Sequence, residues 1–250
     1  MAFGLIIRTR MRIAIFGDIH ANLEAFEVVL ADARDQGCSS FICLGDVVGY
    51  NANPRECLQL VQSLNCPVVK GNHDDYASSD GSLESFNPLA EVAIQWTRDQ
   101  LTSSEKLWLG ELPLVSKIHG VTVVHASLED PGGWGYVLNQ LDAAASFSRQ
   151  TTQLCFFGHT HTPRAYIKDS SVVGLPFDEL FLEPGKRYFV NSGSVGQPRD
   201  GDWRAAYVVF DDEKRMIRLR RLRYELAKTQ EKILVAGLPP RLADRLAFGK

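Results

Sequence analysis

The sequence lacks the features that mark membrane proteins, secreted proteins and nucleic-acid-binding proteins. No apolar run approaches the roughly 20 residues that a helix needs to cross a bilayer. In the first twelve positions the basic residues follow the apolar run, which reverses their order in a secretory signal. The net charge is −3, so we expect no strong nucleic-acid-binding surface. These absences predict a cytoplasmic protein without a membrane partner.

Cysteine is scarce and has no regular spacing. The five cysteines are odd in number, and no two of them form a Cys-x-x-Cys pair. Cys43 and Cys155 lie within apolar runs. The pattern argues against a disulfide framework and against a cysteine-based zinc site, and it predicts reduced thiols that pack in a core.

The chain shows no internal repeat, low-complexity stretch or linker, so we expect one domain. With 250 residues, 45% of them hydrophobic, it is long enough for one large α/β domain. Met11 directly precedes the first apolar run, and we interpret residues 1–10 as an N-terminal extension and 11–250 as the domain. The native start is either Met1 or Met11.

Strand-like and helix-like segments alternate in the first third of the chain. Apolar runs at 13–16, 40–44 and 67–70 predict strands. The segments between them have helical periodicity, with Asn22 and Asn53 as N-caps. This order predicts a parallel sheet, and ligands bind at the carboxyl edge of such sheets.

The rest of the chain is expected to add helices, a hairpin and further strands. We expect a loop at 76–87, a hairpin at 114–125, and helices at 88–100, 103–110, 140–150 and 224–236. Further strands are predicted at 154–157, 165–168, 171–174, 187–190, 205–210 and 216–222. The tail at 239–250 is predicted to be a surface segment.

Polar residues of metal-binding type follow the predicted strands. Five of the six histidines lie close to the carboxyl end of a strand, and the exception is His119 in the hairpin turn. Two aspartates and an asparagine occupy the same kind of position. One ion takes about four to six ligands, so this set suits two ions that share a carboxylate. The candidate ligands are Asp18, His20, Asp46, Asn72, His125, His159 and His161.

This ligand set fits two divalent metal ions. Manganese is the first expectation, and iron, zinc, nickel and cobalt suit the same oxygen and nitrogen donors. Two ions about 3.5–4 Å apart are able to hold a phosphate and a bridging hydroxide. Two divalent ions, two carboxylates and one hydroxide leave a centre of about +1, which attracts an anion.

Five blocks of this sequence together resemble one protein family. In type and order they resemble the calcineurin-like metallophosphoesterase superfamily over residues 12–211. The segments 45–50, 87–90 and 191–200 are similar to its small single-domain bacterial and archaeal phosphodiesterase branch. The resemblance implies an α/β fold, a four-layer α/β/β/α sandwich of two mixed β-sheets flanked by helices. The blocks are Asp18-x-His20, Gly45-Asp46, Gly71-Asn72-His73-Asp74, His125 and Gly158-His159-x-His161.

The resemblance also implies roles for individual residues. His73 would contact the phosphate and act as the general acid, a role that suits an imidazole near neutral pH. Asp46 would bridge the two ions. Three further ligands would bind each ion, namely Asp18, His20 and His161 for one, and Asn72, His125 and His159 for the other.

The expected function is that of a dinuclear metal-dependent phosphodiesterase, in which a metal-bridging hydroxide attacks a small, nucleotide-like phosphoester. The enzymatic alternatives are a phosphomonoesterase and a dinucleoside polyphosphate hydrolase, and the non-enzymatic alternative is a metal-binding scaffold. Protein phosphatases of this superfamily carry a second aspartate shortly after the bridging one, whereas residues 47–51 contain no acid. A protein phosphatase is therefore disfavoured.

Trp134 and Tyr136 either stack on a nucleobase or pack in the core.

The substrate contacts have two interpretations at each candidate residue. The segment 193–196 either lies close to the metals and offers backbone amides to the phosphate, or forms a tight structural turn. Arg199 either binds a phosphate oxygen or pairs with Asp200 or Asp202. We expect Ser194 and Arg199 to be substrate-binding residues.

Overall fold

The structure is a computed structural model that describes residues 11–83 and 87–250, so the expected extension at 1–10 lies outside the described residues. The strands are β1 (Arg12–Phe16), β2 (Ser40–Cys43), β3 (Val115–Ile118), β4 (Val121–Val124), β5 (Leu154–Phe157), β6 (Arg164–Lys168), β7 (Val172–Leu175), β8 (Glu179–Phe181), β9 (Arg187–Asn191), β10 (Ala205–Asp211) and β11 (Met216–Leu222). The helices are α1 (Leu23–Asp35), α2 (Pro54–Ser63), α3 (Asn72–Ser78), α4 (Pro88–Gln100), α5 (Ser103–Gly110), α6 (Gln140–Arg149), α7 (Leu226–Val235) and α8 (Pro240–Leu246), with a short 3-10 turn at Pro131–Gly133. Within the described ranges, no helix combines the length and the apolar character needed to cross a membrane.

The strands form two mixed sheets. The first has the order β2-β1-β10-β11-β8, and the second has the order β3-β4-β5-β9-β6-β7. β1 and β2 are parallel, as are β4, β5 and β9, and the other neighbours are antiparallel. The register pairs Phe16 with Cys43 and Phe157 with Asn191. The parallel strands in each sheet therefore end level with one another.

Successive side chains of β1 face different layers, because neighbouring residues of a strand point to opposite sides. Ile13 and Ile15 pack between the sheets with Phe156, whereas Phe16 packs against Phe26 of α1 on the outer face. Another apolar cluster places α6 on the outer face of the second sheet. Burial on both faces explains why these strand sequences are apolar throughout. The predicted four-layer sandwich of two mixed sheets is confirmed.

The predicted strand at 67–70 is wrong. Its backbone forms one isolated parallel bridge, from Val68 to Cys43. Pro67 and Val69 form the hydrogen bonds to Cys43 of β2. The N–H of Lys70 then donates to the carbonyl of Pro113, outside the sheet. The sequence also gave no sign of β8, because its three residues are too few to show a period.

Two segments predicted as loop or surface form helices. The predicted loop at 76–87 begins inside α3, and residues 84–86 lie outside the described part of the chain. The tail at 239–250, predicted to be a surface segment, contains α8. Leu242 and Leu246 of this helix are buried against Tyr50 and α7. The tail is therefore part of a core. In the sequence, only the short spacing of apolar residues in this segment indicated a buried helix.

The cysteines pack as the sequence predicts. All five are free, and four of them are buried. Burial raises the pKa of the Cys38 and Cys66 thiols to about 11, so both thiols stay protonated at neutral pH.

Leu242→Ala is expected to lower the free energy of unfolding by about 2–5 kcal/mol, because removing this fully buried side chain leaves a cavity beneath α8. Equilibrium unfolding in urea measures the change. The control is Leu141→Ala, whose side chain is 82% exposed and whose effect should stay within about 0.5 kcal/mol. Equal, small effects of the two substitutions would show that α8 is not part of the core.

Candidate metal centre

Six of the seven predicted ligands follow strands whose carboxyl ends meet at one edge of the sandwich. Asn72 is the exception, since it is the first residue of α3. Backbone hydrogen bonds join the loops at this edge: the Asp18 N–H donates to the Gly45 carbonyl at 2.9 Å, and the Gly158 N–H donates to the His125 carbonyl at 2.9 Å. The N–H of Gly196, in the loop after β9 of the second sheet, donates to the Asp18 carbonyl of the first at 2.9 Å, so the loops of both sheets form one connected surface.

Five of the predicted ligands have a left-handed backbone, with φ between 47° and 66°. Residues other than glycine rarely adopt this region, and each one costs about 1–3 kcal/mol. Such strain is found at functional sites, where the surrounding structure maintains it. The five residues are Asp18, His20, Asp46, His159 and His161.

Two glycines allow the loops to approach the carboxylates. A Cβ at Gly71 would collide with the carboxylate of Asp46, and a Cβ at Gly158 would collide with that of Asp18. The N–H of His159 donates to both carboxylate oxygens of Asp18 at 3.1 Å. Each glycine therefore makes room for one acid, Asp46 or Asp18, and also precedes a candidate ligand, Asn72 or His159.

The donor atoms form two overlapping clusters, and within each cluster they lie within 4.8 Å of one another. Asp46 belongs to both, because its Oδ2 lies 3.5 Å from His20 Nε2 and 3.3 Å from His125 Nε2. Asn72 lies beside the second cluster, with Oδ1 3.2 Å from His125 Nε2. The first cluster contains Asp18, His20, Asp46 and His161, and the second contains Asp46, His125 and His159.

The outer ring nitrogen of each clustered imidazole donates to a backbone carbonyl. A carbonyl only accepts, so the proton of each neutral ring lies on this nitrogen. The inner nitrogen therefore presents a lone pair to the cluster. The four contacts measure 2.6–3.2 Å and join His20 Nδ1 to Val48, His125 Nδ1 to Leu44, His159 Nε2 to Trp134 and His161 Nδ1 to Gln197.

These inner nitrogens face one another at short range. His20 Nε2 lies 3.0 Å from His161 Nε2, and His125 Nε2 lies 3.2 Å from His159 Nδ1. His161 Nε2 is also 3.3 Å from Asp18 Oδ1. In the neutral rings all these atoms are acceptors, and acceptors this close repel one another unless positive charge lies between them. The donor set therefore fits cations, and its imidazole and carboxylate groups suit divalent metals.

Burial keeps most of these imidazoles neutral, which is the form that binds metal. It lowers the pKa of His20 and of His161, and it lowers the pKa of His159 to about 3. Burial also opposes charge on His125, but the Asp46 carboxylate outweighs this effect and raises the pKa of His125 to about 9. Burial would raise the pKa of Asp46, but the imidazoles around it, His125 first, hold that pKa well below its ordinary value. Asp46 is therefore ionised.

His73 lies next to both clusters and belongs to neither. Its backbone N–H donates to Asp46 Oδ1 at 2.8 Å, and its ring centroid is 4.7 Å from that of His20 and 4.4 Å from that of Tyr50. Burial lowers the pKa of His73 to about 4, Asp46 opposes the shift, and the charge of Arg199 adds to it. The ring is therefore neutral at pH 7.

A cleft of about 290 Å³ opens over the clusters. Tyr136 stacks on His159 with the ring centroids 4.2 Å apart, and the Trp134 ring meets His125 edge-on at 6.0 Å. Tyr136 is half exposed, so the core-packing interpretation is wrong for this residue. Other lining residues include Asp46, Asn72, His73, His161 and Arg199.

Ser194 does not reach this cleft with its side chain. The residue is fully buried, and its hydroxyl donates to the Asp18 carbonyl at 2.8 Å while accepting from the Gln197 N–H at 2.8 Å. These two backbone partners occupy the hydroxyl. The N–H groups of Val195 and Gly196 donate to the carbonyls of Gly17 and Asp18 at 3.1 and 2.9 Å, which contradicts the expected phosphate contact through backbone amides. Ser194 instead fastens the loop that carries Asp18.

Arg199 lines the cleft, as a substrate-binding residue should. Its Nη2 donates to Gln197 Oε1 at 2.9 Å. The acids considered as its partners bind other arginines instead, Asp200 to Arg221 and Asp202 to Arg204. The structure therefore places the Arg199 guanidinium at the site rather than in either ion pair.

Sequence reasoning missed the supporting position of Asp74. This carboxylate is fully buried, and it accepts the N–H groups of Val47 at 2.9 Å, Val48 at 3.3 Å and Gly71 at 3.1 Å. It therefore joins the loop that carries Asp46 to the start of α3. An acid three residues after a helix N-cap was the signal that could have revealed it.

Comparisons with known proteins agree with this geometry. A family model described as the calcineurin-like phosphoesterase superfamily domain matches residues 11–215. The chain is 38% identical over 243 residues to an uncharacterised protein of Methanocaldococcus jannaschii, a match that covers 95% of this chain and 98% of that protein.

Solved structures show the same architecture. A crystal structure of a metallophosphoesterase from Sphaerobacter thermophilus matches with a TM-score of 0.88 and 42% identity, over 97% of this chain and 100% of that one. A hypothetical protein from Pyrococcus horikoshii matches with a TM-score of 0.78 over 96% of this chain and 99% of that one, and at 19% identity it shows the fold alone. The chain therefore belongs to the calcineurin-like phosphoesterase superfamily and is a hydrolase of phosphoric ester bonds.

Proposed function

We propose that this hydrolase is a dinuclear metal-dependent phosphodiesterase that acts on a small, nucleotide-like substrate in the cytoplasm. The observation that carries the proposal is the pair of donor clusters that share Asp46, since a shared carboxylate suits two adjacent ions. A non-catalytic scaffold is disfavoured, because His73 and Arg199 line a cleft directly over the clusters.

We assign Asp46 to both ions and three further ligands to each. Divalent ions bound at these donors would supply an activated water as the nucleophile and would neutralise charge on the phosphate. Manganese is our first choice of metal, and iron, zinc, nickel and cobalt suit the same donors. The assigned ligands are Asp18, His20 and His161 for one ion, and Asn72, His125 and His159 for the other.

We assign the phosphate contact and the general acid to His73. The neutral ring lines the cleft and is able to donate its N–H to a phosphate oxygen. The negative charge of a bound phosphate raises the pKa of the ring, which allows it to hold a proton and donate it to the leaving oxygen. Arg199 adds positive charge on the same side of the cleft.

The purified protein, loaded with manganese, is expected to hold about two ions per chain when measured by elemental analysis. Asp46→Asn should hold fewer, because the neutral amide removes the charge shared by both clusters. The control is Asp35→Asn at the exposed end of α1, which should bind as much metal as the wild type. One ion per chain in the wild type would contradict the dinuclear assignment.

In manganese buffer the wild type is expected to hydrolyse bis(p-nitrophenyl) phosphate in preference to p-nitrophenyl phosphate. His73→Ala should lower kcat for the diester by about 10²–10⁴-fold without loss of metal, because it removes a general acid and no ligand. The matched control is His119→Ala in the exposed turn between β3 and β4, for which kcat should not change.

Three other results of this assay would refute parts of the proposal. A strong preference for the monoester would indicate a phosphomonoesterase with the same site. Full activity of His73→Ala would remove His73 from the mechanism. Bound metal without turnover of either ester would favour the scaffold.

A further inference from the structure

Three side-chain rings contact one another on one side of the metal centre. The centroid of the His73 ring is 4.4 Å from that of Tyr50 and 4.7 Å from that of His20, and the His20 and Tyr50 centroids are 4.8 Å apart. The ring planes of His73 and Tyr50 meet at 47°, and tilted rings at this separation attract and orient each other. The ring proposed as the general acid therefore lies against a candidate metal ligand and against a tyrosine that has no assignment in the mechanism.

The backbone adopts unusual conformations where it passes His73. Gly49 has a φ of +95°, and a Cβ at this position would collide with Nδ1 of the His73 ring. Tyr50 follows with a φ of 62°, a conformation that is unfavourable for residues other than glycine. The side-chain amide of Asn51 donates to the His20 carbonyl at 2.7 Å and so holds the loop in place. The loop therefore brings the backbone of Gly49 and the ring of Tyr50 against the same imidazole.

The Tyr50 ring is held in turn by the C-terminal tail and by Arg199. Its side chain is 8% exposed and packs in the apolar cluster that α8 forms with α7. The guanidinium of Arg245, on α8, lies 5.9 Å from the centroid of the Tyr50 ring, and that of Arg199 lies 5.7 Å from it. Arg199 Nη2 also donates to the Tyr50 hydroxyl at 3.4 Å. Packing of α8 on the core therefore fixes the ring that contacts His73.

We propose that Tyr50 is a positioning residue that holds the His73 ring in the orientation from which it protonates the leaving oxygen. The proton passes from His73 to this oxygen as the bond between the oxygen and phosphorus breaks. A group that acts at the reacting atoms loses up to about 10²-fold in rate when it is misplaced by 1 Å. Tyr50 acts through the contact of its ring, so its hydroxyl contributes little. This inference rests on the proposed function, because it concerns the residue assigned there as the general acid.

The test measures kcat and KM for the wild type, Tyr50→Leu and Tyr50→Phe in manganese buffer on diphenyl phosphate and bis(p-nitrophenyl) phosphate. Phenolate is a poorer leaving group than p-nitrophenolate, so its departure depends more on a general acid. Tyr50→Leu should therefore lower kcat at least about tenfold more for diphenyl phosphate, with little change in KM. Tyr50→Phe should restore most of the activity, because it keeps the ring. Elemental analysis should show as much bound manganese in both variants as in the wild type.

The matched control is Tyr224→Leu, which removes a tyrosine ring that is also 8% exposed and that contacts Trp203. It should affect both esters alike, because it removes packing at a place away from His73. Gly49→Ala is a second variant, since its Cβ displaces the His73 ring without removing any packing, and it should show the same dependence on the leaving group as Tyr50→Leu.

A double variant tests whether Tyr50 acts through His73. On bis(p-nitrophenyl) phosphate, adding Tyr50→Leu to His73→Ala should lower kcat by less than about twofold, because the residue that Tyr50 positions is already gone. A further loss as large as that of Tyr50→Leu alone would overturn the positioning role. Equal losses on both esters in Tyr50→Leu, or a loss in Tyr50→Phe as large as in Tyr50→Leu, would overturn it too.

Failure of the proposed function gives a different result. Equal losses on both esters in His73→Ala would refute the general acid, and a wild type that hydrolyses neither ester would refute the diesterase. In either case the crystal structure of manganese-loaded Tyr50→Leu decides the positioning role separately. A His73 ring that has turned or that has several orientations would support the role, and an unmoved ring would overturn it.

Discussion

The buried carboxylate of Asp46 is the group on which the rest of this structure depends. An ionised carboxylate at 1% exposure is costly by several kcal/mol unless other groups compensate it. Here the compensation comes from the N–H of His73 at 2.8 Å and from imidazole nitrogens at 3.3 and 3.5 Å. The His20 nitrogen presents a lone pair, because the Val48 carbonyl holds the proton of that neutral ring on the far side. The positive charge of His125, whose pKa Asp46 raises to about 9, therefore supplies the main compensation within the protein, and cations bound at the clusters would take its place.

The two-sheet architecture supplies this convergence. The acids come from loops of the first sheet, whereas His125, His159 and His161 come from loops of the second. A single sheet would place these groups in a row, but two sheets packed face to face bring their carboxyl edges together. The left-handed backbone of the ligand loops then turns the side chains inward. The buried strands on both sides are what maintain this strain.

The surroundings of the centre differ from one side to the other. On one side Trp134 and Tyr136 pack against the rings of His125 and His159. On the other side Arg199 and α8 pack on Tyr50. The helix formed by the tail is therefore part of the cleft's environment as well as of the core. An aromatic side and a basic side agree with the proposed nucleotide-like substrate, which carries both a planar group and a negative charge.

The sequence by itself determined the order of most strands and helices, though not α3, α8 or β8, together with the glycine-led turns and the chemical types of all seven candidate ligands. These are local properties, set by periodicity and by which side chains follow a strand end. Only the tertiary structure decided that the run at 67–70 leaves the sheet, that α8 is buried, that Ser194 binds the Asp18 loop and that Asp74 joins two loops. It also decided which nitrogen of each imidazole faces inward and that Arg199 lies beside Arg245 rather than Asp200 or Asp202. Each of these outcomes depends on a partner that is distant in the chain, and a local pattern carries no information about which distant group will occupy that place.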